Sequence, residues 1–192
     1  ERHETPYEMA RHELEATRKV RDLGVNAPEP VEAFSVGDLG VLVLEYLPEF
    51  RPLDDLGSET VAALAPALFD TLRTIHDAGL AHGDLRAENV LVRDGDLYVI
   101  DATNVSGDGR ESARSYDLAS ALAALEPLVG ASTAVDAALT RYSTAELLAA
   151  RQFLDFVAIR PDHDFDAAAL NGELEKRATA TGPSGDPAAT GE

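Results

Sequence analysis

A short polar stretch between two apolar segments constrains this chain more than any other feature. Residues 82–89, with the sequence HGDLRAEN, follow an apolar segment at 59–78 and precede a second apolar run at 90–100. The earlier segment repeats its apolar residues at a spacing of 3.6 residues, which predicts an amphipathic helix. The later run is interrupted by Asp94-Gly95, which predicts a β-hairpin with its turn at these two residues.

The predicted hairpin brings several oxygen-bearing side chains together. Asn89 lies six residues before Gly95 and Asp101 lies six residues after it, so we expect both at the open end of the hairpin, beside the loop that carries Asp84. Two carboxylates and an amide oxygen suit a hard divalent cation, above all Mg²⁺, which also binds waters and phosphate oxygens. A magnesium ion next to a phosphate indicates phosphoryl transfer.

The remaining patterning predicts an α+β architecture. The expected elements are a helix at 7–23, strands at 31–36 and 40–46, and helices at 59–78, 112–128, 134–142 and 144–157. The second strand is a continuous apolar run, so we expect it to be buried on both faces. Ser58 is the expected N-cap of the central helix and Gly79 the residue that ends it. Residues 178–192 are small, polar and rich in Pro and Gly, which is typical of a disordered tail.

The pattern H-G-D-L-x-x-x-N, followed by an apolar strand and Ile100-Asp101, resembles the catalytic and metal-binding segments of the protein-kinase-like fold. A glycine follows His82, and Asp-Ala-Thr stands in place of Asp-Phe-Gly. These features are more similar to the RIO family of atypical kinases, the small kinase of the KEOPS complex and the aminoglycoside phosphotransferases. The resemblance covers about residues 7–128.

This resemblance implies a kinase-like division of the chain. We expect a partial N-lobe at 1–47, made of a helix and about two strands, and a mainly helical C-lobe with the catalytic hairpin at 48–177. No glycine-rich phosphate loop precedes the first helix, and no strand carries the expected lysine, because Lys19 lies in the helix and Lys176 near the tail. Either an upstream segment is missing, as the first residue Glu1 suggests, or the chain is a degenerate kinase; we favour the first.

The resemblance also implies a role for each polar residue of the loop. Asp84 would accept the proton of the attacking hydroxyl, and Asn89 and Asp101 would hold Mg²⁺ on the phosphates of ATP. Arg86 would neutralise charge on the transferring phosphoryl group, with an ordinary surface arginine as the alternative. His82 is expected to be a structural residue of the loop rather than a proton shuttle.

Further roles follow from the resemblance outside the loop. Glu13 would be the helix glutamate that pairs with a strand lysine, and Glu15 is its competitor. The adenine of ATP would meet the backbone carbonyl of Glu45 and the backbone amide of Leu47, at a hinge between the lobes. Asp117 would tie down the catalytic loop, the alternative being an acidic residue favoured by the helix dipole.

Three functions stay open at this point. The first is an ATP-dependent RIO-like kinase that phosphorylates a protein Ser or Thr or cycles ATP in an assembly. The second is a small-molecule phosphotransferase, and the third is a non-catalytic nucleotide-binding module. Only sixteen positions separate Asp101 from Asp117 and no A-P-E motif occurs, so a long activation segment that docks a peptide is not expected.

The charge of the chain bears on its partners and its setting. The 192 residues include 35 acidic and 16 basic side chains, for a net charge of −19, with no basic cluster that would favour nucleic-acid binding. An acidic surface with few lysines indicates a cytoplasmic protein of an extreme halophile, the alternative being an ordinary acidic protein. No apolar run is long enough to span a membrane, and the chain has no cysteine.

Overall fold

The computed structural model describes residues 5–102, 110–159 and 164–180. The helices are α1 (Pro6–Asp22), α2 (Ser58–Asp77), α3 (Arg110–Val129), α4 (Ala131–Leu139), α5 (Thr144–Arg151), α6 (Leu154–Ala158) and α7 (Ala167–Ala180). The strands are β1 (Pro30–Val36), β2 (Leu39–Leu44), β3 (Arg51–Pro52), β4 (Val90–Arg93) and β5 (Asp96–Val99). The predicted α+β architecture is confirmed, and no described helix is both long and apolar enough to cross a membrane.

The first helix packs across an antiparallel hairpin made of β1 and β2. Its start is fixed by a capping box, in which the Thr5 hydroxyl accepts from the Glu8 amide and the Glu8 carboxylate accepts from the Thr5 amide. Gly40 in β2 permits the close approach of the helix, because a Cβ atom there would lie 1.9 Å from the backbone oxygen of Pro6.

β2 is not buried on both faces, so that prediction was wrong. Leu39 is exposed and the other residues of β2 are half-buried. The sheet of β1 and β2 has two strands, and α1 lies against one face of it. Val36 and Leu39 pair across the two strands and both remain exposed. A continuous apolar run predicts a strand, but it does not reveal whether a second layer covers that strand.

The C-terminal helices surround one hydrophobic core, formed largely by α2 and α3. Phe69 and Leu72 of α2 and Leu122 and Leu125 of α3 are fully buried within it. The predicted cap of α2 was wrong by one residue: Gly57 has the extended backbone of an N-cap and Ser58 is already helical. The predicted end is confirmed, since Gly79 follows the helix with a φ of +77°.

The last third of the chain departs from the predicted boundaries. The helix predicted at 144–157 is divided into α5 and α6, and the one predicted at 134–142 is α4, displaced by three residues. α7 was not predicted, because only Leu170 and Leu174 give it an apolar side. The predicted tail therefore starts too early: residues 178–180 are helical, and 181–192 lie outside the described residues. The predicted division into lobes at 1–47 and 48–177 stays a prediction.

Candidate functional site

The hairpin predicted around Asp94-Gly95 forms and places its open end beside the polar loop. β4 and β5 are antiparallel, with Val90 opposite Val99 and a turn at Asp94-Gly95, where both residues have positive φ. The Ile100 amide donates to the Asn89 carbonyl at 3.1 Å, which extends the pairing one step further. Asn89 and the residue after Ile100, Asp101, therefore flank the open end of the hairpin. Asp101 has a φ of +58°, in the left-handed region that few residues other than glycine adopt.

The side chain of Asp117 binds the backbone of the polar loop. Its side chain is fully buried in α3, with Oδ2 accepting from the His82 amide at 2.6 Å and Oδ1 accepting from the Gly83 amide at 2.8 Å. Gly83 has a φ of +86°, a conformation that turns both amides toward one carboxylate at little cost for glycine. The carboxylate thus fixes the backbone immediately before Asp84.

A buried histidine and tyrosine extend this support, and the sequence did not predict them as site residues. His76, at the end of α2, places Nε2 3.0 Å from Asp117 Oδ2, and its Nδ1 lies 2.9 Å from the Tyr142 hydroxyl. A carboxylate only accepts hydrogen bonds, so Nε2 carries a proton and donates to Asp117. Burial raises the pKa of Tyr142, so its hydroxyl stays protonated and donates to Nδ1. The one sequence signal that could have indicated this contact was the position of His76 on the apolar face of α2.

Asp84 and Asn89 are linked through the loop between them. Asn89 is buried, and its Nδ2 donates to the Asp84 carbonyl at 2.9 Å. With Nδ2 committed to this bond, Oδ1 is the end of the amide suited to bind a cation. The Asp84 carboxylate accepts from Arg86 Nη2 at 3.0 Å, and Arg86 also pairs with Glu88 at 2.5 Å. Arg86 is thus an internal partner of Asp84 rather than a freely solvated surface side chain.

His82 lies at the centre of the site as a buried neutral ring. Burial lowers its pKa, against the charges of Asp117, Asp84 and Asp101 and a hydrogen bond to the Ile100 backbone, all of which act in the opposite direction. A neutral, enclosed ring can fill the space between the polar loop and the open end of the hairpin without adding charge. The predicted structural role of His82 is consistent with this position.

Glu13 reaches the site from α1 and contacts Asp101. Burial, the negative charge of Asp101 and a hydrogen bond to its side chain together raise the pKa of Glu13 from 4.5 to about 7. Glu15, the competing residue, is exposed and pairs with Arg11 at 3.5 Å. Neither lysine of the sequence lies on a strand, since Lys19 is in α1 and Lys176 in α7. The group that Glu13 contacts is the carboxyl group of Asp101.

The predicted hinge follows β2 directly. The Glu45 amide donates to the Glu29 carbonyl at 2.8 Å, and the Glu45 carboxylate accepts from the Glu29 amide at 3.1 Å, so both groups face the loop after α1. Leu47 is buried. An open cleft of about 500 Å³ adjoins both residues and is lined also by Asn26 and Tyr98. Neither Asn89 nor Asp101 is among the residues that line this cleft. The adenine contacts expected of Glu45 and Leu47 stay a prediction.

The oxygen-bearing side chains around Asp101 are of the type that binds a hard cation. Within residues 5–102, 110–159 and 164–180 there is no group of three or more carboxylate, imidazole or thiol side chains arranged as a metal site. The candidate set is instead Asp101 and Asn89, with Glu13 close behind. Glu13 is half-buried and Asp101 is exposed, and two carboxyl groups in contact favour a positive charge between them. A site with few protein ligands is typical of Mg²⁺ that is shared with a bound phosphate.

Comparison with known proteins supplies a family context for this geometry. The model of the RIO domain matches residues 1–116. The chain is 28% identical over 109 residues to the KEOPS complex subunit Bud32 of Pyrococcus abyssi, covering 55% of this chain and 49% of that protein. It is 30% identical over 95 residues to the RIO-type serine/threonine-protein kinase Rio1 of Haloferax volcanii, covering 47% of this chain and 31% of that protein.

Solved structures support the architecture. The PAN3 pseudokinase of Drosophila melanogaster superposes with a TM-score of 0.51 at 18% identity, over 93% of this chain and 56% of that chain. At this identity the likeness shows the fold alone, and the fold is kinase-like. The chain spans about half, or less, of the length of the curated relatives described above.

Proposed function

Because the chain belongs to the RIO domain family, as its polar loop predicted, we propose that it is an ATP-dependent phosphotransferase of the atypical RIO-like type. It transfers the γ-phosphoryl group of ATP to a hydroxyl group with the help of Mg²⁺. The observation that carries the proposal is the convergence of the Asp84 loop, Asn89 and Asp101 at the open end of one hairpin.

Asn89 and Asp101 are the residues that would hold the metal. The Asn89 amide is oriented by its bond to the Asp84 carbonyl, which leaves Oδ1 for coordination. Mg²⁺, when bound with ATP, neutralises charge on the phosphates as the phosphoryl group is transferred. Glu13, next to Asp101, adds negative charge to the same corner and strengthens its attraction for a cation.

Asp84 is the residue that would orient the acceptor hydroxyl and take its proton. Its carboxylate is partly exposed, as a group that meets a substrate must be, and its backbone is fixed by the loop that Asp117 holds. Arg86 balances the charge of Asp84 in the resting site. A phosphoryl group near Asp84 would compete for the Arg86 guanidinium, which would then stabilise transferred charge instead.

We propose a protein hydroxyl, on Ser or Thr, as the acceptor. Relatives named as a serine/threonine-protein kinase and as a KEOPS complex subunit support this choice and also favour a protein partner. A small-molecule hydroxyl is the alternative acceptor. A nucleotide is the first ligand in either case, and the net charge of −19 argues against nucleic acid as a partner.

A non-catalytic nucleotide-binding module is the second candidate function, and one observation favours it. Glu13 is bonded to Asp101, the carboxylate that would hold the metal, and no lysine is present at the site to separate them. A module that binds nucleotide without transferring phosphate would tolerate this arrangement.

The first test is the effect of ATP on the melting temperature, with and without Mg²⁺, in molar KCl. ATP at 100 times its dissociation constant should stabilise the fold by about 2.7 kcal/mol, or about 5–10 °C for a chain of this size. Asp101→Asn should abolish the Mg²⁺-dependent part. Asp94→Asn is the matched control, because Asp94 also has a positive φ, of 53°, but lies at the closed end of the hairpin.

Transfer of labelled γ-phosphate then separates the candidates. Labelled protein that disappears in Asp84→Asn supports a protein kinase, and a labelled metabolite without labelled protein supports the small-molecule alternative. A Mg²⁺-dependent shift with no transfer supports the non-catalytic module. No shift at all, with the chain folded, contradicts the proposed nucleotide site.

A further inference from the structure

A second cavity lies among the C-terminal helices, apart from the phosphate corner. It has a volume of about 480 Å³ and is bounded by α2, α3 and α5. Leu118, Ala145, Ala149 and Tyr142 give it mainly apolar walls. Its size lies within the usual range of small-molecule sites, and none of the residues proposed for metal binding or phosphoryl transfer lines it.

Two arginines line this cavity, and their electrostatic situations differ. Arg73 is neutralised by Glu146 at 2.9 Å and by Asp77 at 3.0 Å, and its guanidinium lies 5.3 Å from the centre of the Tyr142 ring. Arg114 donates to the His76 carbonyl and forms no ion pair with any carboxylate in the described part of the chain. Its Nε is buried and has no hydrogen-bond partner among those residues.

An arginine in this situation is expected to attract an anion. A guanidinium has five N–H donors and keeps its charge at any ordinary pH. One donor of Arg114 reaches the His76 carbonyl, and that neutral oxygen does not balance the charge. A carboxylate entering the cavity would supply the missing counter-charge through a charge-assisted hydrogen bond.

The walls also restrict what the rest of the ligand can be. Arg73, the other arginine of the lining, is already paired with Glu146 and Asp77, so a second negative charge on the ligand would find no unpaired arginine there and would face Glu111. The apolar side chains of α3 and α5 and the Tyr142 ring favour a flat apolar body. We propose that this cavity is a binding site for a small aromatic monocarboxylate, with its carboxylate on Arg114 and its ring against Tyr142 and Leu118.

This site adjoins the support of the catalytic loop. His76 and Tyr142 both line the cavity, and His76 bonds to the Asp117 carboxylate that holds the amides of the loop. A bound ligand would therefore contact residues that position the loop without occupying the phosphotransfer site.

The test uses the full 192-residue chain and two fluorinated probes that differ only in charge. 4-Fluorophenylacetate, followed by fluorine NMR, should show saturable binding with a dissociation constant on the order of 1 mM, as expected for a ligand of this size. 4-Fluorophenylacetamide, its uncharged counterpart, should bind at least about tenfold more weakly because it cannot balance Arg114.

Variants then locate the site. Arg114→Gln should weaken the binding of 4-fluorophenylacetate at least about tenfold, so that the two probes bind with similar affinity. Arg141→Gln is the matched control, because Arg141 is an exposed arginine paired with Asp70 and does not line the cavity. Ala149→Leu, at an exposed position of α5 that lines the cavity, should weaken binding by narrowing the cavity while leaving Arg114 and His76 intact. This variant keeps the test valid if the arginine variant misfolds.

Three results would overturn the proposal. The first is no saturable change for the acetate probe with the folded wild-type chain. The second is equal affinity for the acetate and the amide, which would leave Arg114 without a role in binding. The third is undiminished binding in Ala149→Leu, which would place the probe elsewhere. None of these readouts involves ATP or phosphate transfer, so they stand or fall separately from the proposed kinase function.

Discussion

Replacing Glu13 by Gln should stabilise the fold, and the gain should grow as the pH rises. Burial, the charge of Asp101 and a hydrogen bond to it raise the pKa of Glu13 from 4.5 to about 7 in the folded chain. The unfolded chain releases this proton near the ordinary value, so between about pH 4.5 and 7 the folded state holds more protons than the unfolded state. Stability is therefore fullest below this window, falls as the pH rises through it, and stays low above it.

The magnitude follows from the size of the pKa change. Moving a pKa from 4.5 to about 7 corresponds to about 3.4 kcal/mol. Glu13 is only half-buried, and solvent screening reduces the expected effect to about 1.5–2 kcal/mol. The Gln side chain cannot ionise, so it removes this loss at high pH. For a chain of 192 residues, the melting temperature of the variant should exceed that of the wild type by about 3–8 °C at pH 8.

Thermal unfolding followed by circular dichroism at pH 5, 6, 7 and 8, at constant KCl concentration, measures this effect. The difference between Glu13→Gln and the wild type should be smallest at pH 5 and reach its full value near pH 8. Glu15→Gln is the control, since Glu15 lies on the same helix but is exposed and paired with Arg11. A gain that is equal at every pH, or a matching pH dependence in Glu15→Gln, would refute the reasoning.

Three further substitutions test the support of the site, the packing of α1 and the helix propensity of α7. Tyr142→Phe removes the hydroxyl that donates to His76 at 2.9 Å and leaves a buried ring nitrogen without a donor. We expect the free energy of unfolding, measured by urea titration, to fall by about 1–2 kcal/mol. An unchanged midpoint would contradict the assigned hydrogen bond. Gly40→Ala should cost about 2 kcal/mol or more, because the added Cβ would meet the backbone of Pro6. Gly172→Ala in α7 meets nothing within 4 Å and should instead stabilise by about 0.5–1 kcal/mol in the same titration.

The hairpin of β4 and β5 and the polar loop before it could be predicted from sequence because local rules determine them. The Asp94-Gly95 turn fixes the register of β4 and β5, and the register alone brings Asn89 and Asp101 to one end. Glu13 is half-buried and contacts Asp101, whereas Glu15 is exposed and pairs with Arg11, so the predicted role of Glu13 stays a prediction with a defined contact. These results depend on distances of a few residues along the chain, where spacing and geometry are closely related.

The rest of the site could not be predicted, because it depends on contacts between distant segments. Tyr142 reaches His76 across 66 positions, and Arg114 reaches it across 38. Neither contact leaves a periodic pattern in the sequence. The exposure of β2 was not predicted for a related reason. An apolar run indicates that a strand could be buried, but not whether another part of the chain covers it.

The distribution of charge around the loop explains why the site should require a cation. The carboxylate of Asp117 is balanced by three donors, from His76, His82 and Gly83. Asp84 is balanced by Arg86. At Asp101, by contrast, the facing group is another carboxyl, and the price of this contact is the raised pKa of Glu13. Uptake of a divalent cation would relieve the repulsion, so Mg²⁺ binding should lower the pKa of Glu13 and release a proton near pH 7. Proton release on Mg²⁺ addition that is lost in Glu13→Gln would support this coupling, and Mg²⁺ binding without it would show that Glu13 lies outside the influence of the metal.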